Sequence, residues 1–392
     1  MIHLFFDASA ASSGSGPTYV RNVVPHLAAR TDVRATILVS SVLRQDFQDT
    51  ANVSFLELPG DSAWAAVRFA RAQCVIPGLV RRSRADVLIS AGNLALLRSP
   101  VPQILLSGNA LYTSERFFQD VLERRHYGVW LDTRFKAALA KRSVRTAQRT
   151  IAPSWSFATE LERWTGVSTL AVHHGFDRDV FFRDSTVMPD ELRFQLDRKT
   201  DELRLLFVSH YNYYRNFETL FRALPLLKAR ITDREVKVFL TCRLQPGANP
   251  GSYRPDAAAA LVQRLGVAAN LVELGSVPYH LVHKVYQACD VYVSPAYVET
   301  FAHPLVEAMA AGLPVVASDL SVHQEICGDA ALYFPFSAPE VLAAQVAAVA
   351  SNRDLATQLS SRGLQRSKDF SWEKHVSQII KVATELALHV PA

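Results

Sequence analysis

Short apolar runs alternate with amphipathic stretches along most of the chain. In the first half, residues 3–6, 36–39, 86–90 and 103–106 are strand-like runs. Residues 17–30 carry Val20, Val23, Val24 and Leu27 at helical spacing. Residues 150–152 form a strand that leads to a further helix, and residues 172–177 leave the last strand of this half. In the second half, runs at 203–208, 236–241, 271–274, 291–294 and 315–317 are separated by helices that begin near Phe217, Asp256, His280 and Pro304. Strand and helix in alternation spell the α/β class, with one doubly wound parallel sheet in each half. The polar stretch 183–201 has mixed charge, weak periodicity and a proline, and reads as the linker. The expected domains are therefore 1–185 and 186–370. Helices over 339–350 and 354–367 follow, and a last amphipathic helix over 371–392 opens on Ser371, a good N-cap.

Composition adds little to this outline. The 392 residues are 49% hydrophobic and 20% charged, as in ordinary globular proteins, and each half is long enough to bury its own core. The formal charge of +5 is modest but unevenly spread. Residues 134–149 (Arg134 to Arg149) read as a basic helix without an acid, with Lys141, Arg145 and Arg149 on one face. Arg81, Arg82 and Arg84 form a second cluster. Such a face either rests on anionic lipid, meets an acceptor's phosphate or is simply solvated. No nucleic-acid partner is expected.

The four cysteines (Cys74, Cys242, Cys289, Cys327) lie far apart and read as small buried residues in a reducing compartment. No His/Cys cluster suggests a metal site, and His173-His174 reads as a strand pair facing opposite ways. The first ten residues read as a strand and not a signal peptide, and no apolar run approaches the ~18 residues of a membrane span. A cytoplasmic location is expected, with the inner membrane face as an option through the basic helix.

The candidate chemistry centres on residues 290–334. Glu299 falls in the loop after the 291–294 strand. Glu307 falls about one turn into a helix that Pro304 can open, and Gly312 with Pro314 closes it. A strand–loop–helix–strand order places both carboxylates at the carboxyl edge of a parallel sheet. The helix start offers unpaired N–H groups that suit a phosphate, while carboxylates suit sugar hydroxyls. The stretch thus reads as a site for a molecule whose hydroxyls flank a phosphate. In the first half, Gly14-Ser15-Gly16 permits close backbone approach to a phosphate or sugar, although strand-to-helix turns use glycine for geometry alone. The third glycine of a dinucleotide fingerprint is absent, with Tyr19 in its place, so no nicotinamide binding is expected.

The placed run Ser294-Pro295, Glu299, Phe301, Pro304, Glu307-Ala308-Met309-Ala310, Gly312 and Pro314-Val315-Val316 resembles the donor-binding segment of the retaining glycosyltransferases of family 4 (glycosyltransferase group 1). Glu325 and Gly328-Asp329-Ala330-Ala331 match as well. The resemblance implies the GT-B fold: two Rossmann-like domains facing across a cleft, with the C-terminal helix crossing back to the first. It implies a nucleotide-sugar donor (UDP- or GDP-linked) and a glycan or lipid-linked acceptor, as in polysaccharide biosynthesis. It implies no cofactor and no metal, the nucleotide sugar being a substrate. Glu299 would hold the donor sugar, Glu307 the ribose, and Arg215 the diphosphate, with Arg215 and His210 standing where relatives carry Lys and Arg. Thr300, Phe301, Ala302, Gly16 and Val277 complete the donor side; Gly14 and Asn109 stand on the acceptor side. Relatives carry a histidine near Asn109, and Asn109 offers hydrogen bonds but no base near neutral pH. A non-catalytic nucleotide-sugar-binding subunit is the alternative.

Overall fold

The computed structural model describes residues 1–11, 15–58, 65–198 and 201–388. The chain forms two compact units. The first comprises Met1–Ser114, Tyr127–Gly175 and Ser371–Ala392, and the second comprises Glu115–His126 and Phe176–Phe370. The units divide at 175/176, ten residues before the sequence boundary, and one helix from the first half is counted in the second unit.

In the first unit, strands β1 (Ile2–Asp7), β2 (Val33–Val39), β3 (Val53–Glu57), β4 (Val87–Ser90), β5 (Gln103–Leu106), β6 (Arg149–Ala152) and β7 (Leu170–Ala171) pair in parallel, in the order β3-β2-β1-β4-β5-β6-β7. Helix Ser15–Ala28 buries the expected Val20, Val23, Val24 and Leu27. Helix Trp372–Leu388 belongs to this unit: Trp372, Val376, Ile379, Ile380 and Ala383 join the same core. Its docking is set by rings. Tyr19 Oη lies 2.8 Å from His375 Nε2, and His375 Nδ1 donates to the His173 carbonyl at 2.8 Å, so Nε2 is the acceptor from Tyr19. Gly175 is required here, because a Cβ would stand 2.1 Å from the Trp372 backbone nitrogen. His173-His174 lies beyond the end of β7, and the His174 ring packs on Trp372 rather than pointing away on a strand.

The second unit holds strands β8 (Glu202–Phe207), β9 (Glu235–Leu240), β10 (Leu271–Glu273), β11 (Val291–Ser294), β12 (Val315–Ser318) and β13 (Ala331–Phe334). They are parallel, in the order β10-β9-β8-β11-β12-β13. The strand order reverses between β8 and β11, which pair Val291 with Leu205 and Tyr292 with Leu206. Ligand sites of doubly wound sheets open at the carboxyl ends of such a pair. The segment read as a linker instead contains helix Asp190–Leu196, whose Leu192 and Leu196 enter the core of this unit. Two leucines one turn apart supply too little periodicity to mark so short a helix.

Two further expectations change. The basic helix is Tyr127–Thr146; it includes Asp132, and Arg149 opens β6. Arg149 therefore cannot share a helical face with Lys141 and Arg145. Lys141 lies 5.3 Å over the Trp164 ring, Arg145 donates to the Thr165 carbonyl, and Lys136 pairs with Asp132. Lys141 and Arg145 stay on one helix, while Arg149 leaves that face. Cys242, Cys289 and Cys327 are buried, but Cys74 is exposed on helix Ala65–Ser83. Among the described residues no helix is long and apolar enough to cross a membrane.

Candidate functional site

Two loops leave the adjacent carboxyl ends of β8 and β11, and backbone pairing zips them together. The Tyr297 N–H donates to the Tyr214 carbonyl at 2.9 Å. Asn216, left-handed at φ 58°, donates from Nδ2 to the carbonyls of Pro295 (2.9 Å) and Phe336 (2.7 Å). Asparagine tolerates this conformation and supplies the amide, so one residue both turns the chain into helix Phe217–Arg230 and binds the neighbouring loop. Arg215, just before it, is thereby held beside Glu299.

Arg215 Nη1 and Glu299 Oε2 form an ion pair. The Thr300 N–H donates to the other oxygen of Glu299 at 3.0 Å. Burial works to raise the Glu299 pKa, but the Arg215 guanidinium, the Thr300 N–H and nearby His323 hold it below the usual carboxylate value. The Arg215 Nε is buried without a hydrogen-bond partner. The Thr300 N–H is thereby committed to Glu299.

Ala302 precedes helix His303–Ala310 in a left-handed conformation, φ 64° and ψ 60°. A side chain there is disfavoured by about 1–2 kcal/mol, a strain found mostly where a loop is tightly specified. The turn drives Phe301 inward, where it is 1% exposed and packs edge-on against Phe370.

Glu307, in the second turn of this helix, is 5% exposed and accepts from Tyr286 Oη at 2.8 Å. Burial pushes its carboxyl up to about 7, with Tyr286 and Tyr279 only partly opposing. Between pH 4.5 and 7 the folded chain thus keeps a proton that the unfolded chain has lost, so stability falls as pH rises through that window and levels off above it. Glu307→Gln is expected to stabilise the protein by about 2–3 kcal/mol at pH 8, with the advantage gone near pH 5. Urea unfolding at the two pH values checks this, and an equal effect at both contradicts it.

Tyr292, on β11 and 1% exposed, lies within the electrostatic reach of the two acids and the cation. Burial raises its pKa first, while Arg215 lowers it and Glu307 and Glu299 raise it, so all three charges act on one phenol. Two histidines join this group without having been expected. Burial pushes His303 down to about 4 against the pull of Glu299, and does the same to His323. His323 donates from Nδ1 to Ser318, and its Nε2 is buried without a partner. Nothing in helical periodicity separates these rings from ordinary core histidines; only their shared proximity to Glu299 does.

His210 sits on the β8 loop, its ring pushed below the ordinary histidine range by desolvation and by Arg215, so it is neutral at pH 7. Val277 is half-buried against the core of the second unit. Gly16 and Asn109 lie in the first unit. A Cβ on Gly16 would approach the Ala11 Cα to 2.9 Å, and Asn109 caps a short 3-10 turn by accepting from Leu111 N–H at 3.1 Å. Gly14 lies outside the described residues.

With the acid pair, its guanidinium partner and the switch-point loops in view, comparison with known proteins is informative. Residues 189–366 match the family Glycosyl transferases group 1. The matched stretch contains Arg215, Glu299 and Glu307. A 110-residue stretch is 34% identical to O-antigen chain mannosyltransferase B of Escherichia coli, covering 27% of this chain and 28% of that one. The chain spans less than half the length of the curated relatives it matches. Over its whole length the fold is similar to sucrose-phosphate synthase from Thermosynechococcus elongatus, at a TM-score of 0.78 and 17% identity with both chains covered completely. It is also similar to Anabaena HepE in complex with UDP-glucose, at a TM-score of 0.72 and 17% identity, covering 98% of this chain and all of that one. The fold is GT-B, with two Rossmann-like parallel-sheet units and the last helix packed on the first.

Proposed function

We propose that the protein is a retaining, metal-independent glycosyltransferase that moves a sugar from a UDP- or GDP-sugar to a glycan or lipid-linked acceptor. The observation that carries this reading is the Arg215–Glu299 pair at the β8/β11 switch point, in the same charged group as Glu307. In the ligand-free protein these two side chains neutralise each other. A nucleotide sugar offers each a better partner: the diphosphate takes Arg215, and sugar hydroxyls donate to Glu299. Arg215 then carries the charge that builds on the departing diphosphate, the role a metal plays elsewhere, and does so bidentately. Neutral His210 donates a hydrogen bond to the same group, and the helix N-terminus behind Phe301 and Ala302 adds its dipole. Glu307 accepts from the ribose. Val277, four residues past the end of β10, is assigned to the base, and Gly16 and Asn109 remain on the donor and acceptor sides of the first unit. Retention at the anomeric carbon rests on the likeness of the Glu299–Glu307 run to that of retaining enzymes.

A thermal-shift screen against UDP, GDP, ADP and their sugars tests the donor class. A true donor nucleotide stabilises the fold by about 2.7 kcal/mol at a hundredfold excess over its dissociation constant. Stabilisation by none of them rejects the reading. Release of the nucleoside diphosphate in the presence of mixed glycan acceptors separates a transferase from a binding subunit.

A further inference from the structure

Helix Glu115–Glu123 leaves the first half of the chain between β5 and β6, yet it belongs to the second unit. Its apolar side explains only part of this. Phe117 and Val121 are fully buried, and the Phe117 ring meets Tyr214, the residue before Arg215, at 6.1 Å. The rest of the contact is polar and buried. Asp120, 5% exposed, accepts from Arg124 Nε on one oxygen (2.8 Å) and from Tyr297 Oη on the other (2.5 Å). Arg124 also donates to Glu218 Oε1 at 2.8 Å, an oxygen shared with Tyr211 Oη at 3.3 Å, and its guanidinium lies 4.3 Å over the Tyr213 ring. His126, just past the helix, lies 3.0 Å from Tyr213 Oη, which also accepts from the Arg254 N–H at 3.2 Å.

These contacts fall on the two loops of the charged cluster. Tyr297 is two residues before Glu299, and Glu218 is three after Arg215. Tyr211, Tyr213 and Tyr214 all lie in the loop that ends at Arg215. The 3-10 turn Tyr213–Arg215 has no side-chain cap of its own, so its position is imposed from outside. A buried, continuous network of charged hydrogen bonds has few alternative arrangements, which makes it suited to fixing geometry.

We propose that Asp120 and Arg124 are positioning residues: through Tyr297 and Glu218 they hold Arg215 and Glu299 in register for the donor diphosphate and sugar. This deepens the transferase reading and rests on it for the chemistry, but the bracing itself is a property of the ligand-free fold. Loss of the brace leaves both reacting side chains present and displaced, which lowers turnover more than donor binding.

The test has two arms, using Tyr297→Phe and Asp120→Asn in the full chain. Hydrogen exchange of the ligand-free protein is expected to rise at least tenfold across residues 210–216 and 296–302 in both variants, with β9 and β12 unchanged. Steady-state turnover with the donor found by thermal shift is expected to fall about tenfold in Tyr297→Phe, with donor KM within twofold. The same change in an Arg215→Ala background is expected to cost less than in the wild type, because part of the brace acts through Arg215. Unchanged exchange in both loops overturns the proposal, and so does unchanged kcat or a loss that multiplies with Arg215→Ala. Should the wild-type protein turn over no nucleotide sugar, the exchange arm still decides the brace, and it is the transferase reading that falls.

Discussion

Arg215→Ala is expected to lower kcat by two to three orders of magnitude while changing nucleoside diphosphate affinity far less. The guanidinium is the fixed cation of the cluster: it is paired with Glu299, two-tenths exposed, and held by a backbone clamped on both sides. Stabilising charge that develops on a leaving group is worth roughly 3–4 kcal/mol per preorganised donor in a partly dry site. Ground-state binding is expected to lose less, because in the proposed complex the helix N-terminus and His210 still meet the diphosphate. The substitution also leaves Glu299 without the partner that keeps its carboxyl ionised against burial. Arg215→Ala combined with Glu299→Gln separates the two effects: if the single loss reflected only a stranded carboxylate, the double variant would recover turnover. Equal losses in kcat and in nucleotide affinity would remove Arg215 from the leaving-group role.

The largest effect on stability is expected at Arg204. It is 1% exposed on β8, where it binds Glu202 through both Nε (2.9 Å) and Nη2 (2.8 Å). It also donates to the carbonyls of Leu196 (2.8 Å) and Asp197 (2.7 Å), and its guanidinium lies 5.2 Å over the Phe239 ring. One side chain thus satisfies a buried acid and the last carbonyls of helix Asp190–Leu196. Arg204→Met keeps the volume and strands all of these acceptors, which costs about 3–5 kcal/mol. Adding Glu202→Leu removes the stranded charge and is expected to recover part of the loss. The readout is favourable, since the described tryptophans (Trp130, Trp155, Trp164, Trp372) fall in segments of the first unit. Nine of the twelve tyrosines lie in the second unit and three (Tyr19, Tyr112, Tyr127) in the first, so tyrosine signals in urea report mainly the second unit while tryptophan fluorescence follows the first. A loss below about 1 kcal/mol in the tyrosine transition would contradict the role given to Arg204.

Much of the fold was legible because parallel sheets announce themselves. A strand buried on both faces reads as a nearly continuous apolar run, and β8 (Glu202 and Arg204 apart), β11 and β12 are read directly from runs such as 203–208 and 315–317. Pro304 and Gly312 marked the helix between them to within a residue or two. Where contacts were distant in the chain, the local pattern misled. Helix Asp190–Leu196 looked like linker because its two leucines only acquire meaning against the core they enter. The basic run was drawn into one helix through Arg149, although the chain had to turn at Thr146 for Arg149 to begin β6.

The site divides in the same way. Glu299 and Glu307 stood out by residue type and spacing at a sheet edge, but the weight given to them, and the choice of Arg215, came from the resemblance to the family 4 segment. Their protonation could not be read from either. Glu307 near 7, neutral His210, and His303 and His323 held near 4 all follow from desolvation and neighbouring charges, which depend on three-dimensional distance. The pairing of Arg215 with Glu299 and the brace through Asp120 and Arg124 also join residues 84 and 177 positions apart. By itself, then, the amino-acid order determined the parallel α/β architecture and the identity of the charged residues, since periodicity and local turn chemistry act over a few residues. Only the tertiary structure decided which charges neutralise one another and which helix steadies them, because burial and Coulomb energy depend on distance through space and not along the chain.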